Sequence, residues 1–171
     1  NDKRFNEFRQ FTGTVMMADI GNGTMNIMRL ANGKPNDQHC WTEVLGVNQC
    51  MLTARKQMMD KYGIDMPESV IEQFLRTGTA NLARELLDNL TDIVRGYVTG
   101  LFDALRVHGY DARLMKLFVM GGGGCLVKNF GKYDPGAVVF VDDLHASAKG
   151  YEYMAQGVIW RNERLARKAG D

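Results

Sequence analysis

The sequence has few of the features that mark membrane, disulfide-rich or metal-binding proteins. No apolar run approaches the roughly 18–20 residues that a membrane-spanning helix needs, so we expect no membrane partner. Three cysteines are present, at positions 40, 50 and 125, and they include no Cys-x-x-Cys pair. An odd number without paired spacing gives no disulfide framework, which favours a reducing, cytoplasmic setting. The three histidines are scattered, so the sequence predicts no zinc site.

An excess of charge of one sign is also missing. Lys and Arg total 21 against 20 Asp and Glu, for a formal net charge of +1. This balance gives no broad electrostatic footprint for nucleic acid, so we expect no direct nucleic-acid binding. The sequence also has no P-loop, no Gly-x-Gly-x-x-Gly leading from a strand into a helix, and no Gly-x-Ser-x-Gly. These absences exclude the corresponding nucleotide and hydrolase motifs.

The remaining composition is that of a globular α/β protein. The 171 residues are 45% hydrophobic and 24% charged, enough for one sizeable core or for two small subdomains sharing one. Glycine is abundant, with 19 residues against 3 prolines. Many glycines with few prolines indicate tight turns in a regular fold rather than a flexible linker.

Apolar periodicity predicts a strand-rich beginning, a helical middle and an alternating end. The predicted strands are 14–20, 24–31 and 38–45, then 114–120 and 137–141. The predicted helices are 47–62, a short one opening at Pro67, a long one over 81–108, a short one after residue 124, and 146–169. With Asn32-Gly33 as a hairpin turn, the first three strands form an antiparallel meander. The pattern predicts an α/β fold with a mixed sheet.

Two glycine-rich turns each follow a predicted strand. The first is Asp19-Ile20-Gly21-Asn22-Gly23-Thr24, and the second is Gly121-Gly122-Gly123-Gly124. Backbone N–H groups of such turns can approach phosphate oxygens because no Cβ intervenes. An Asp beside such a turn can hold Mg²⁺ through waters or orient an attacking water. Either turn alone is most simply a tight turn, whereas both together favour a nucleotide site.

These residues resemble motifs of the actin-like ATPase superfamily. The stretch 17–27 is similar to its second phosphate motif, and 118–124 is similar to its adenosine motif. The stretch 146–157 resembles the final helix of plasmid-segregation, ParM-like members. The resemblance implies a ribonuclease H-like, actin-type ATPase domain: a mixed sheet flanked by helices, with a small helical insertion. The order of elements over nearly the whole chain agrees with it.

The resemblance covers only the second of the two domains of that superfamily. It assigns residues 1–46 and 79–171 to subdomain IIA and the inserted residues 47–78 to subdomain IIB. The first ATPase domain is not represented. Because the chain also does not begin with Met, we expect it to be part of a longer protein that hydrolyses ATP only when the first domain is joined to it.

The resemblance also implies a role for individual residues. Asp19 matches the aspartate that positions Mg²⁺ and the attacking water, and Gly21, Asn22, Gly23 and Thr24 match the turn that holds phosphate. Asn22 stands where the family usually has Gly, and we expect its tolerance of left-handed φ to preserve the turn. Gly121, Gly122 and Gly123, with Gly124 beside them, match the turn at the adenosine and α-phosphate. Arg55 and Lys56 match charged residues directed at the nucleobase, and a solvated helix face is the alternative.

The implied function is nucleotide-dependent filament formation for plasmid or DNA segregation. The cofactors would be ATP or GTP with Mg²⁺, and the partners other copies of the protein and a DNA-binding adaptor. Three alternatives stay open. The chain could be a non-catalytic interaction module with a degenerate nucleotide site, another superfamily member of the cell-division or kinase type, or an unrelated α/β enzyme. The actin-like interpretation predicts that Asp19 and Gly122 face one cleft, and glycine loops at opposite ends of their strands would contradict it.

Overall fold

The computed structural model of the protein describes residues 13–141, without the side chains of Asn36 and Asp37. The predicted helix 146–169, including the stretch 146–157, lies outside the described residues. Within them, five strands form one mixed sheet in the order β3-β2-β1-β4-β5. The strands are β1 (Thr14–Ile20), β2 (Met25–Ala31), β3 (Lys34–Glu43), β4 (Lys116–Met120) and β5 (Val138–Phe140). The first three strands are antiparallel, and β4 and β5 run parallel to β1, which confirms the predicted meander and mixed sheet.

The β2–β3 hairpin turns at Asn32 and Gly33, as predicted. Both residues have positive φ, 51° and 73°, the combination that a two-residue hairpin turn requires. Strand β3 then begins at Lys34, four residues earlier than predicted. Pro35 is tolerated there because β3 lies at the edge of the sheet, and a register shift between Met28 and Leu30 absorbs the irregular pairing.

Four helices flank the sheet within residues 13–141, at positions close to those predicted. They are α1 (Val47–Tyr62), α2 (Glu68–Thr77), α3 (Arg84–Val107) and α4 (Gly124–Phe130). Helices α1 and α2 each end at a glycine in the left-handed conformation, Gly63 and Gly78, because this conformation lets a residue close the last turn without a Cβ clash. Helix α3 starts three residues later than predicted, and its 24 residues extend over about 36 Å.

One hydrophobic core joins these elements. Alternate residues of β1 are almost fully buried, with Met16, Ala18 and Ile20 at most 1% exposed. The same cluster contains one stripe of α3, made of Leu90, Val94, Val98, Leu101 and Leu105. Side chains alternate between the two faces of a strand and recur every three or four residues along a helix, so the sequence directs both sets to one interior. Among the described residues, no helix combines the length and apolar character needed to cross a bilayer.

The carboxyl end of α3 is fastened to the β2–β3 hairpin by polar contacts. The His108 ring stacks on Trp41 at a centroid distance of 4.5 Å, and its Nε2 lies 2.6 Å from Oε1 of Glu43. Arg29 donates a hydrogen bond of 2.7 Å to the carbonyl of His108. Since Glu43 precedes α1 and His108 follows α3, these contacts close the segment of chain that contains α1, α2 and α3.

Candidate functional site

The two glycine turns lie side by side at one edge of the sheet. Strands β1 and β4 are parallel neighbours, with Asp19 opposite Met120, so the chain leaves both strands at their shared carboxyl edge. The N–H of Gly123 donates a hydrogen bond of 2.8 Å to the carbonyl of Ile20. This is the arrangement that a common ligand site at both turns requires, and glycine loops at opposite ends of their strands would have contradicted it.

The second turn depends on glycine at two positions. Gly121 has a φ of +82°, and a Cβ there would overlap the Asp19 carboxylate. A Cβ on Gly123 would overlap the side chain of Ile20. These glycines therefore allow the second turn to lie directly on the end of β1. Gly122 differs, because it is exposed and a Cβ there would meet no atom within 4 Å.

The first turn is formed without left-handed backbone conformations. Gly21 closes the turn by donating a hydrogen bond of 2.8 Å to the carbonyl of Thr24. None of Gly21, Asn22 and Gly23 is among the described residues with positive φ, so the expectation that Asn22 preserves the turn through left-handed φ is wrong. A Cβ on Gly23 would meet nothing within 4 Å. The outer side of the turn is therefore open.

The inner side of the first turn is held by the start of α1. The N–H groups of Val47 and Asn48 donate to the carbonyls of Gly21 and Asn22 at 3.1 and 2.8 Å. In trans peptides the C=O and the following N–H point in opposite directions, and no cis peptide occurs in the described chain. The N–H groups of Asn22 and Gly23 therefore point away from α1. A peptide whose oxygen accepts a hydrogen bond is also a better donor.

Gly46, which sequence reasoning missed, makes this contact possible. It is buried, and a Cβ there would overlap the backbone of Asn22 and lie 2.6 Å from the carbonyl carbon of Gly23. Its N–H donates to Oε1 of Gln49 at 3.1 Å, and its carbonyl accepts a hydrogen bond of 2.8 Å from the Tyr97 hydroxyl. A glycine directly before a predicted helix was the available signal for Gly46.

Tyr97 and two cysteines form a largely neutral layer beside the turns. Burial raises the pKa of the Cys50 thiol to about 12, and proximity to Cys125 adds to the shift. Burial, followed by the nearby Cys50, raises the pKa of Tyr97. The pKa of Cys125 is raised chiefly by burial, and its neutral thiol donates to the carbonyl of Gly122 at 3.2 Å. These groups therefore keep their protons at neutral pH and place no charge next to the turns.

Arg55 and Lys56 do not reach the turns through any described contact. Arg55 lies nine residues beyond Gly46 on α1, about 13 Å along the helix axis. Its guanidinium donates to Oδ1 of Asp65 at 2.8 and 3.2 Å and to Glu68 at 3.1 Å. Hydrogen bonding to Asp65 raises the pKa of Arg55. Arg55 thus joins α1 to the start of α2, while Lys56 lies on the exposed side of α1.

A different arginine acts electrostatically on Cys125, which follows the second turn. Arg76 is exposed at the last turn of α2, and its charge acts to lower the pKa of Cys125 against the larger effect of burial. Its position is fixed by Asn129 of α4, which donates to the carbonyls of Leu75 and Arg76 at 3.2 and 3.0 Å. The sequence alone gave no signal for Arg76, because nothing local relates it to a turn 45 residues away.

The described residues include no group of three or more His, Cys, Asp or Glu side chains that could hold a metal ion. Asp19 is the carboxylate at the meeting point of the two turns, and it is half-buried. One carboxylate suits Mg²⁺ that keeps most of its waters and arrives with a phosphate ligand. The donor set therefore fits a nucleotide-borne cation better than a resident metal.

Comparison with solved structures identifies the architecture. An archaeal actin homolog matches with a TM-score of 0.67 and 18% identity, covering 89% of this chain and 51% of that chain. A ParM filament from Clostridium botulinum matches with a TM-score of 0.67, 18% identity and coverage of 91% and 50%. The chain has an actin-like fold. Bacillus thuringiensis ParM with ATP matches with a TM-score of 0.54 and 15% identity, covering 81% of this chain and 44% of that chain.

The similarity is one of fold, and it covers only part of each solved chain. The chain spans about half the length of these structures. No protein-family model matches the sequence, and a search of the curated proteins finds no significant relative. The mixed sheet flanked by helices, predicted from the sequence, is confirmed.

Proposed function

We propose that this chain is the nucleotide-binding half of an actin-like ATPase of the plasmid-segregation type. The observation that carries the proposal is the contact between the two glycine turns at the carboxyl edge of β1 and β4, where Gly121 lies against Asp19. Ligands of open α/β sheets bind at this edge. A structure with a similar fold is that of an archaeal actin homolog in complex with ADP, and ParM of Bacillus thuringiensis has been solved with ATP.

The phosphates would bind on the open side of the first turn. The N–H groups of Asn22 and Gly23 point away from α1, and Gly23 leaves space for an oxygen to approach. Gly21 closes this turn on Thr24, whose side chain belongs to the same half-buried edge. We assign these four residues to phosphate binding.

The adenosine side would bind at the second turn. Gly121 and Gly123 hold the turn on β1, and Gly122 presents an open backbone. Gly124 continues the turn into α4. The nucleobase would lie between this turn and the carboxyl end of α2, where we assign Arg76 instead of Arg55 or Lys56.

Asp19 would orient waters at the phosphates. A bound Mg²⁺ would supply neutralisation of phosphate charge, and Asp19 would hold it through water. The carboxylate is kept in place by Gly121 on one side. In the whole protein, we assign Asp19 the positioning of the attacking water.

The wider role is part of the same proposal. We assign residues 1–46 and 79–171 to subdomain IIA and 47–78 to subdomain IIB, with the first domain supplied by a longer protein. The protein would act in the cytoplasm with ATP or GTP, associate into filaments, and bind a DNA-linked adaptor. The filament of Clostridium botulinum ParM supports self-association of proteins with this fold.

Calorimetry with ADP and Mg²⁺ tests the nucleotide site. We expect the purified chain to bind ADP–Mg²⁺ and the Gly23→Asp variant to lose binding, because a new carboxylate would repel phosphate at an otherwise open position. Gly96→Asp, at an exposed position of α3 where a Cβ would also meet no atom within 4 Å, is the matched charge control. Light scattering and electron microscopy of the full-length protein with ATP then test filament formation.

The half-length match favours one second candidate, a non-catalytic interaction module with a degenerate site. That candidate predicts no heat with ADP–Mg²⁺ for this chain or for the full-length protein. A member of the kinase type would instead consume ATP only when an acceptor substrate is added, without forming filaments.

A further inference from the structure

Tyr97 shares the spacing of the apolar stripe of α3, but its hydroxyl makes a contact that apolar packing does not explain. It lies midway along α3, half-buried, and its hydroxyl donates a hydrogen bond of 2.8 Å to the carbonyl of Gly46. The two residues are 51 positions apart. A buried tyrosine hydroxyl needs a partner, and here the partner is the residue that contacts the first glycine turn.

The contacts from Tyr97 to the turn form a short, continuous path. Gly46 is too close to Asn22 and Gly23 to carry a side chain. The two N–H groups that follow it, of Val47 and Asn48, bind the carbonyls of the turn. Moving Gly46 therefore moves the peptides whose N–H groups face the open side.

Helix α3 provides the fixed reference for this path. Its stripe residues Val94, Val98 and Leu101, on either side of Tyr97 in sequence, are at most 1% exposed in the core that contains β1. Gly46, directly before α1, has no side chain to pack, and its carbonyl accepts hydrogen bonds from the Tyr97 hydroxyl at 2.8 Å and from the N–H of Cys50, in the first turn of α1, at 3.3 Å. Burial of Tyr97 also raises the pKa of its hydroxyl, so the donor keeps its proton at neutral pH.

We propose that Tyr97 is a positioning residue that holds the start of α1 on the first glycine turn and so sets the direction of the phosphate-facing N–H groups. The helical insertion and the turn then move as one unit. The effect on ligand binding rests on the proposed nucleotide function, whereas the mechanical link does not.

Tyr97→Phe tests the link, because it removes the hydroxyl and keeps the ring. We expect amide hydrogen exchange at Val47 and Asn48 to become about fivefold faster, as for the loss of one hydrogen bond, while exchange at Leu117 in β4 stays unchanged. We expect ADP–Mg²⁺ affinity to fall about fivefold for the same reason. Tyr62→Phe, at the end of α1, is the matched control, since no hydrogen bond of its hydroxyl is described, and it should change neither quantity.

Each result decides a different point. Unchanged exchange at Val47 and Asn48 in Tyr97→Phe overturns the link. Faster exchange with unchanged ADP affinity overturns the positioning role and leaves a purely structural contact. Absence of ADP binding by the unmutated chain counts against the proposed function, and the exchange rates then decide the link by themselves.

Discussion

Asp19 and Gly121 are in contact at the ends of two neighbouring parallel strands, so closely that a Cβ at position 121 would overlap the Asp19 carboxylate. Gly121 also has a φ of +82°, which costs an L-residue roughly 1–2 kcal/mol. We expect Gly121→Ala to lower the free energy of unfolding by about 3 kcal/mol, from backbone strain and the overlap together. Urea denaturation measures the change.

Gly122→Ala is the control for that substitution. A Cβ on exposed Gly122 would meet no atom within 4 Å, so stability should stay within about 0.5 kcal/mol. Equal losses in the two variants would show that flexibility of the turn, rather than its contact with Asp19, is what glycine provides.

The assignment of Arg76 in place of Arg55 gives a second prediction. Arg76→Ala should weaken ADP–Mg²⁺ binding about tenfold, the loss expected for a hydrogen bond involving a charged group. Arg55→Ala and Lys56→Ala should leave affinity within about twofold, because Arg55 is bound to Asp65 and Glu68 and exposed Lys56 has no described contact with the turns. Isothermal titration calorimetry measures all three. Weaker binding in Lys56→Ala alone would instead support the assignment made from sequence.

A third prediction concerns the cysteine beside the second turn. The half-buried Cys125 thiol donates to the carbonyl of Gly122, so a nucleotide over this turn should shield it. At ADP–Mg²⁺ ten times above its dissociation constant, alkylation of Cys125 by iodoacetamide should slow about tenfold. Peptide mass spectrometry measures the rate, and exposed Cys40 on β3 should react at the same rate with and without ADP. Equal slowing at both cysteines would indicate a global change instead.

The parts of the site that sequence predicted are those encoded locally. Asp19 and the glycines of both turns follow strands whose apolar runs are unmistakable, and the parallel order of β1 and β4 brings those ends together. The contribution of Gly46 and Tyr97 could not be predicted from local sequence patterns, because their contact joins residues 51 positions apart. Tyr97 also shares the spacing of the apolar stripe of α3, so periodicity assigns it to the core.

Arg55 shows the converse limit of a local pattern. Its position on an inserted helix made it a candidate for the nucleobase, but the two carboxylates that bind it arise from the next loop and helix. The predicted strand β3 began four residues too late for a similar reason. Pro35 is typical of a turn, and only its place at the sheet edge makes it compatible with a strand.

A fourth prediction tests how the helical insertion is joined to the second turn. Asn129 of α4 donates to two carbonyls at the end of α2, where helix carbonyls otherwise lack partners. Asn129→Ala should reduce the free energy of unfolding by about 1–2 kcal/mol and weaken ADP–Mg²⁺ binding through displacement of Arg76. Lys128→Ala, exposed on the same helix, should do neither. Unchanged ADP affinity in Asn129→Ala would show that the end of α2 does not contribute to nucleotide binding.

The last prediction concerns alkaline pH. Burial raises the pKa of the Cys50 thiol from 9.0 to about 12. Below pH 9 the thiol is neutral in both folded and unfolded chains, so stability is unaffected. As the pH rises from 9 towards 12, the unfolded chain releases the proton while the folded chain retains it. The unfolded state is therefore stabilised relative to the folded state. This effect should reduce the free energy of unfolding by about 2 kcal/mol at about pH 10.5.

Denaturation curves between pH 7 and pH 10.5 measure the slope of the free energy of unfolding against pH. Cys50→Ala should reduce the dependence of stability on pH, with a remainder from Cys125, Tyr97 and Tyr110, whose raised pKa values act in the same direction. Cys40→Ala, at an exposed position, should leave the slope as it is. An identical slope in Cys50→Ala and the unmutated chain would mean that the thiol ionises without unfolding, and that the layer behind the glycine turns is open to water.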